Sequence, residues 1–254
     1  MKYLLIAILF ILSVTNLAAQ ENRGAAREQL EPKGFLYGIG LGINREIYKG
    51  YDRRVIPLPI IGYRGDKLSV LGPFISYEVA QMGDVEFTLN ASPRFQGFDQ
   101  SDSYIFEGMQ ERKFSMDAGF SVKYQRNDWN INLTYKKDVL SRSKGTELST
   151  SLGKAFRFGP VFVEPSLSLN YLDDNHVNYY YGVGVNETSE IRSAYQADSA
   201  LNTAIGVSVA TPIFFDGFTR LAFTHTWFDT TISDSPLVED DSNSSFTLIF
   251  SKFF

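Results

Sequence analysis

The 254-residue chain has no cysteine, two histidines and two tryptophans, and no surplus of positive charge, since 24 Lys and Arg face 29 Asp and Glu for a net charge of −5. Without cysteine there is no disulfide framework, thiolate metal site, cysteine nucleophile or lipidated cysteine. His176 and His225 are too few for a multi-histidine zinc site, and no cofactor-binding motif accompanies them. An acidic chain lacks the clustered Lys and Arg that neutralise phosphates, which argues against nucleic acid as a partner. Long apolar runs are also missing apart from one at the N-terminus. A helical membrane protein of this size needs several stretches of about 20 apolar residues, and the mean hydropathy is only −0.13.

That one run has the form of an address. Met1 and Lys2 give a positive start, Tyr3 to Val14 is apolar, and Leu17-Ala18-Ala19 supplies small residues before Gln20. Residues 1–19 read as a secretory signal peptide with an apolar core too short to span a bilayer comfortably. Residues 20–33 are polar and aperiodic, as expected of a flexible periplasmic lead-in. Residues 34–254 then form a single domain.

Within that domain the two-residue period prevails. Phe114, Met116, Ala118, Phe120, Val122 and Tyr124 interleave with Ser115, Asp117, Gly119, Ser121 and Lys123. Trp129, Ile131, Leu133 and Tyr135 repeat the pattern after a turn at Asn127-Asp128, which is a hairpin signal. The expected strands are 35–44, 55–63, 68–78, 84–95, 113–126, 129–138, 145–157, 161–172, 176–184, 200–212, 218–228 and 245–254.

Two all-β architectures accept such strands, a soluble sandwich or barrel and a membrane barrel. Segments of about nine to thirteen residues suit tilted membrane-spanning strands better than the five or six usual in soluble sheets. The polar face carries charges of both signs (Glu86, Asp117, Lys123, Lys136, Glu147, Arg157, Glu164), as a polar lumen requires. Aromatics at Tyr179-Tyr180-Tyr181, Phe214-Phe215, Trp227-Phe228 and Phe253-Phe254 suit the two lipid interfaces. The expectation is a closed antiparallel transmembrane β-barrel of about 12 strands, with 10 as the fallback, because an open edge would leave backbone groups unpaired in hydrocarbon. On this register the segments 185–199 and 229–244 lie outside the cell, and 96–112 faces the periplasm. The terminal strand, with Phe246, Leu248, Phe250 and Phe254 on one face, resembles the segment through which bacterial outer-membrane barrels engage their assembly machinery.

Three places resemble the family of outer-membrane barrels that comprises the MltA-interacting protein (MipA) and OmpV. The first is Gly38-Ile39-Gly40-Leu41-Gly42, followed by Tyr48-Lys49-Gly50 and by Pro57-Leu58-Pro59. The second is Tyr181-Gly182-Val183, with Tyr181 where the family usually has Phe and Tyr195 following at the expected remove. The third is Ser235-Pro236-Leu237-Val238. Each also has a plain structural reading. Pro57 and Pro59 tune an irregular strand, the alternate glycines leave room for a bulky lumen side chain, Tyr179 to Tyr181 form an interface girdle, and Ser235-Pro236 makes a turn.

The resemblance implies a non-enzymatic protein of the bacterial outer membrane, a scaffold that brings a murein lytic transglycosylase together with a murein synthase. Candidate contacts are Tyr104, Phe106 and Met109 in 96–112, together with the lead-in 20–33. A narrow solute pore and a surface adhesin are the alternatives. A hydrolase built on a serine with His176 or His225 is disfavoured, because no serine motif stands at a fixed spacing.

Overall fold

The computed structural model describes residues 33–254. The expected signal peptide 1–19, and the lead-in as far as residue 32, lie outside the described residues.

The alternating segments assemble into one antiparallel sheet. Its strands are β1 (Gly34–Arg45), β2 (Arg53–Arg64), β3 (Leu68–Leu71), β4 (Phe74–Met82), β5 (Val85–Arg94), β6 (Ser115–Arg126), β7 (Trp129–Asp138), β8 (Thr146–Lys154), β9 (Phe156–Phe158), β10 (Val161–Leu172), β11 (Ala200–Phe214), β12 (Gly217–Trp227) and β13 (Ser242–Phe253). Neighbours in the chain pair with one another, β13 returns to β1, and β10 pairs with β11, so the sheet closes on itself. β9 continues β8 without a change of register, since Gly153 faces Ser166 and Phe156 faces Val163. The short break falls opposite Pro165, whose missing N–H interrupts the ladder. The barrel wall is therefore twelve strands round, an even number, as antiparallel closure demands.

Burial separates the two faces. Phe35, Tyr37 and Ile39 on β1 are 58%, 51% and 61% exposed, and Leu133, Leu167 and Leu169 look outward in the same way. This apolar belt is the lipid face. Inside, polar side chains bond to one another: the Asn90 amide donates to Ser121 (2.9 Å), Ser121 and Thr134 share a hydrogen bond (2.9 Å), and Asn132 donates to Thr134 (3.0 Å).

The two ends differ. One has two-residue turns at Gly83-Asp84, Asn127-Asp128, Gly159-Pro160 and Phe215-Asp216. Positive φ at both Asn127 and Asp128, and at Phe215 and Asp216, marks the type I′ turns that match strand twist. The other end carries 46–52, 95–114, 139–145, 173–199 and 228–241, and long loops are the extracellular feature of such barrels.

Two expected strands differ from what forms. Residues 68–78 are not one strand, because Gly72, at φ +58°, and Pro73 turn the chain back between β3 and β4. Residues 176–184 are mostly helical, as α1 (Asp174–Tyr181), and a second short helix, α2 (Thr230–Ser233), lies in the last loop. The Asp173 carboxylate caps α1 by accepting from the His176 N–H (2.9 Å). One strand is gained and one lost, so the count of twelve holds while the sidedness between them reverses. Segment 96–112 belongs to the long-loop end, not to the periplasmic rim.

Candidate functional site

The long loops fold into a second hydrophobic core that caps the barrel. Ile47, Tyr48, Phe98, Ile105, Phe106, Met109, Val177, Tyr180, Tyr181, Val183, Ile232, Leu237 and Val238 form one buried cluster with Leu172, Ala197 and Ala200 at the strand ends. Tyr48 is its centre. Its ring lies 5.5 Å from Phe98, 5.3 Å from Phe106 and 5.6 Å from Tyr181, and its hydroxyl donates to the Tyr180 carbonyl at 3.2 Å. Phe98 and Phe106 stack at 3.8 Å.

Polar groups lock the loops together. Arg112 donates to the Tyr179 carbonyl (2.7 Å) and grips Glu187 with both terminal nitrogens (2.9 and 2.6 Å). Arg192, only 3% exposed, donates to the carbonyls of Ile105, Glu107 and Glu187. Burial works against ionisation of Glu187, yet Arg112 and the Gln110 and Gly184 N–H groups hold its carboxyl below the usual range. Burial pushes the Glu46 carboxyl up, against the pull of the Arg54 guanidinium 3.0 Å away. His176 is 1% exposed, and burial, with Arg94 adding its charge, pulls its imidazole down to about 3.

The family-like residues converge on this lid from three distant segments. Tyr48 bridges to Val238, the Lys49 N–H donates to the Leu237 carbonyl (2.9 Å), and the Ser235 hydroxyl donates to the Tyr181 carbonyl (2.6 Å). Val183 pairs with Tyr195, whose hydroxyl donates to the Thr231 carbonyl (2.9 Å). Gly182 ends α1, its N–H donating to the Asn178 carbonyl (2.9 Å), and Pro236 follows Ser235 in the last loop. Gly50, at φ +68°, lets Tyr104 approach so closely that a Cβ there would sit 2.7 Å from its ring. Tyr180 and Tyr181 are thus lid core rather than an interface girdle.

The other family-like residues build the wall. Gly40 and Gly42 face inward against Leu58 and Ile56, as a bulky lumen neighbour requires, while Pro57 and Pro59 face outward on β2. Phe254 is 79% exposed at the turn end, and its N–H donates to the Phe35 carbonyl (3.1 Å) across the seam. The expected contact residues separate: Tyr104 is 61% exposed, whereas Phe106 and Met109 are 0% and 1% exposed inside the lid. Sequence reasoning missed Arg112, Glu187 and Arg192, which carry no motif. The cap at Asp173 and the spacing of Val177, Tyr180 and Tyr181 were readable signals for α1.

Beneath the lid, Arg94 reaches along the inner wall to Asp117 on β6 (2.6 Å) and Glu147 on β8 (2.7 Å), and Asn130 donates to Glu164 (2.8 Å). Among the described residues no group of His, Asp and Glu is arranged to hold a metal ion. His225 faces outward, its Nδ1 3.0 Å from Ser244 Oγ and its ring edge-on to Trp227.

Known proteins align over most of the chain. The putative outer membrane protein YiaT of Escherichia coli K12 is 26% identical over 215 residues, covering 84% of this chain and 87% of its own. Outer membrane protein Omp26La of Vibrio anguillarum is 25% identical over 206 residues, 79% of each chain. The MltA-interacting protein of Escherichia coli K12 is 25% identical over 209 residues, 81% of this chain and 84% of its own. Residues 37–254 match the profile of the MltA-interacting protein MipA, and the chain belongs to that family of bacterial outer-membrane β-barrel proteins.

Proposed function

We propose that the protein is a non-enzymatic outer-membrane anchor that holds a murein lytic transglycosylase and a murein synthase at its periplasmic end. The observation that carries this reading is the lid. A buried core of aromatic and aliphatic side chains across the extracellular mouth suits a fixed membrane element better than a diffusion pore, and leaves the opposite rim as the surface offered to the periplasm. A relative at 25% identity is named for its interaction with MltA, which supports the same class of partner. The positions of the histidines favour a non-catalytic role, since His176 is enclosed in the lid and His225 pairs with a serine and an indole on the lipid face.

The contact surface then moves from 96–112 to the turn end. It comprises the short turns at 83–84, 127–128, 159–160 and 215–216, and the lead-in 20–33 is a separate candidate contact. Its lipid belt seats it in the membrane, and its last strand is the segment offered to the assembly machinery. Capture of purified murein enzymes by the detergent-solubilised barrel tests the assignment. Binding is expected to survive replacement of 96–112 by a short turn and to fall when 20–33 is removed or the turn residues are charge-reversed. Retention after both changes sinks the reading. Stepwise currents from the pure barrel in planar bilayers would favour a pore instead.

A further inference from the structure

The barrel wall is incomplete in one sector. β3 stops at Leu71, so the part of β2 before Ile61 has, among the described residues, a strand partner only in β1. Likewise β5 after Ala91 pairs only with β6. A wedge therefore opens between β2 and β5 above the Gly72-Pro73 turn. At its top Arg54 spans it, donating to the carbonyls of Phe95 and Gly97. From Ile61 to Arg54 the bare edge runs about 24 Å along the strand, at roughly 3.4 Å per residue.

Bare edges in hydrocarbon are costly because their N–H groups find no acceptor. The chain removes most of those donors. The Gly72 N–H donates to the Ile61 carbonyl (3.1 Å), which shows that odd-numbered backbone groups of β2 face the wedge. Pro57 and Pro59 have that parity and no N–H. On β5, the Asp84 carbonyl accepts from the Gln125 N–H of β6 (2.9 Å), so even-numbered groups face β6 and odd-numbered ones face the wedge. Pro93 has that parity too. Three of the chain's nine prolines thus stand where a donor would point into the opening.

The lumen behind the wedge is apolar as well. Register places Ile56, Leu58, Ile60, Leu71 and Phe74 on the inner face beside Gly40 and Gly42, with Ile60 buried, Ile56, Leu58 and Leu71 half-buried and Phe74 exposed. A Cβ at Gly40 would lie 3.3 Å from the Leu58 Cβ and 3.4 Å from the Ile60 Cδ1. Arg54 and Arg64 stand at the two ends of this stripe on β2, and Arg94, Asp117, Glu147 and Glu164 occupy the β5–β10 side.

We propose that the wedge is a lateral portal through which an acyl chain of an outer-leaflet lipid reaches the apolar stripe on the inner face of β2. Two features single out that occupant. The opening lies in the half of the wall nearer the long loops, facing bilayer hydrocarbon, and the lid closes the axial route from outside. The portal is independent of the periplasmic role proposed above.

Because the chain has no cysteine, single-cysteine variants carry one bimane label each. Leu58→Cys probes the stripe, while Ser168→Cys and Leu169→Cys probe adjacent residues of β10 that face the lumen and the lipid. In vesicles of phosphatidylcholine with brominated acyl chains, labels at Leu58 and Leu169 are expected to be quenched to similar extents and the label at Ser168 much less. Quenching at Leu58 no greater than at Ser168 overturns the portal. The unmodified protein gives a second reading, with phosphatidylcholine bearing a diazirine in its acyl chain. Mass spectrometry should find adducts on Ile56, Leu58 or Phe74 in addition to outward residues, and adducts confined to outward residues refute the proposal.

Discussion

Tyr48→Ala tests whether the lid is a cooperative unit separable from the wall. Tyr48 is 3% exposed and touches three aromatic rings from two other loops. Truncating a buried aromatic to alanine costs about 3–5 kcal/mol, because surrounding groups collapse only partly into the space. At about 1.4 kcal/mol per factor of ten, that raises the open population of the lid by roughly two to three and a half orders of magnitude. Hydrogen exchange reads this directly. The amides of Phe106, Met109, Val183 and Val238 bond to the carbonyls of Ser103, Phe106, Tyr195 and Ser235, and all four should exchange faster by about that factor. Amides of β7 and β11 should keep their protection. Tyr48→Phe keeps the ring contacts and loses only the bond to the Tyr180 carbonyl, so its effect should be near 1 kcal/mol, or about fivefold. Unchanged lid amides in Tyr48→Ala, or equal loss of protection in the wall, would refute the reasoning.

Three further outcomes follow from the same core. Below pH 6.5 the unfolded lid protonates His176 while the folded lid resists down to about 3, so lid stability should fall by up to about 1.4 kcal/mol per pH unit across that window. Glu187, whose carboxyl is held low, adds a loss below its ordinary value near 4.5, and His176→Gln should flatten the profile between pH 6.5 and 5 in an exchange titration. Arg112→Ala leaves the half-buried Glu187 without its bidentate partner and should cost about 1–3 kcal/mol, whereas adding Glu187→Gln should recover part of the loss in a double-mutant cycle. Gly145→Ala would place a Cβ 2.6 Å from the His176 Cβ and 2.7 Å from its backbone, an overpacking cost of about 1–3 kcal/mol visible as faster exchange in α1.

The barrel was legible because its determinant is local. Strict alternation sets which side of the sheet each residue takes, and ten of the expected strands lie within a few residues of those formed. The two departures are also local. Gly159-Pro160 and Gly72-Pro73 make the same two-residue turn, with Gly at φ +61° and +58°, but only the first separates long strands. The second lies inside an apolar stretch and releases a strand of four residues, too short to be recognised as a crossing of the membrane. In α1 the tyrosine run obscured a helical spacing that Asp173 announces. The lid itself was not legible, because its contacts join residues as far apart as Tyr48 and Tyr180, 132 positions along the chain. No period records such a contact.

The lid and the wall can be separated by one further experiment. If acyl chains reach Leu58 through the side of the barrel, the route bypasses the lid, and loosening the lid leaves it unchanged. Tyr48→Ala should therefore accelerate lid exchange while bromolipid quenching of the Leu58 label stays as in the parent. If lipid instead came over the rim, the same substitution would raise quenching roughly in step with the open lid population. The prolines give an independent prediction. Pro59→Ala restores a donor whose nearest strand is too short to accept it, at a cost of about 1–3 kcal/mol for an N–H unpaired in hydrocarbon. Pro165→Ala also restores a donor, but opposite the break between β8 and β9, where Lys154 already stands as a register partner. The wedge argument requires the first to lower the unfolding midpoint and the second to leave it unchanged or raise it. Equal loss in both would mean that the prolines act on strand geometry, not on the missing donor.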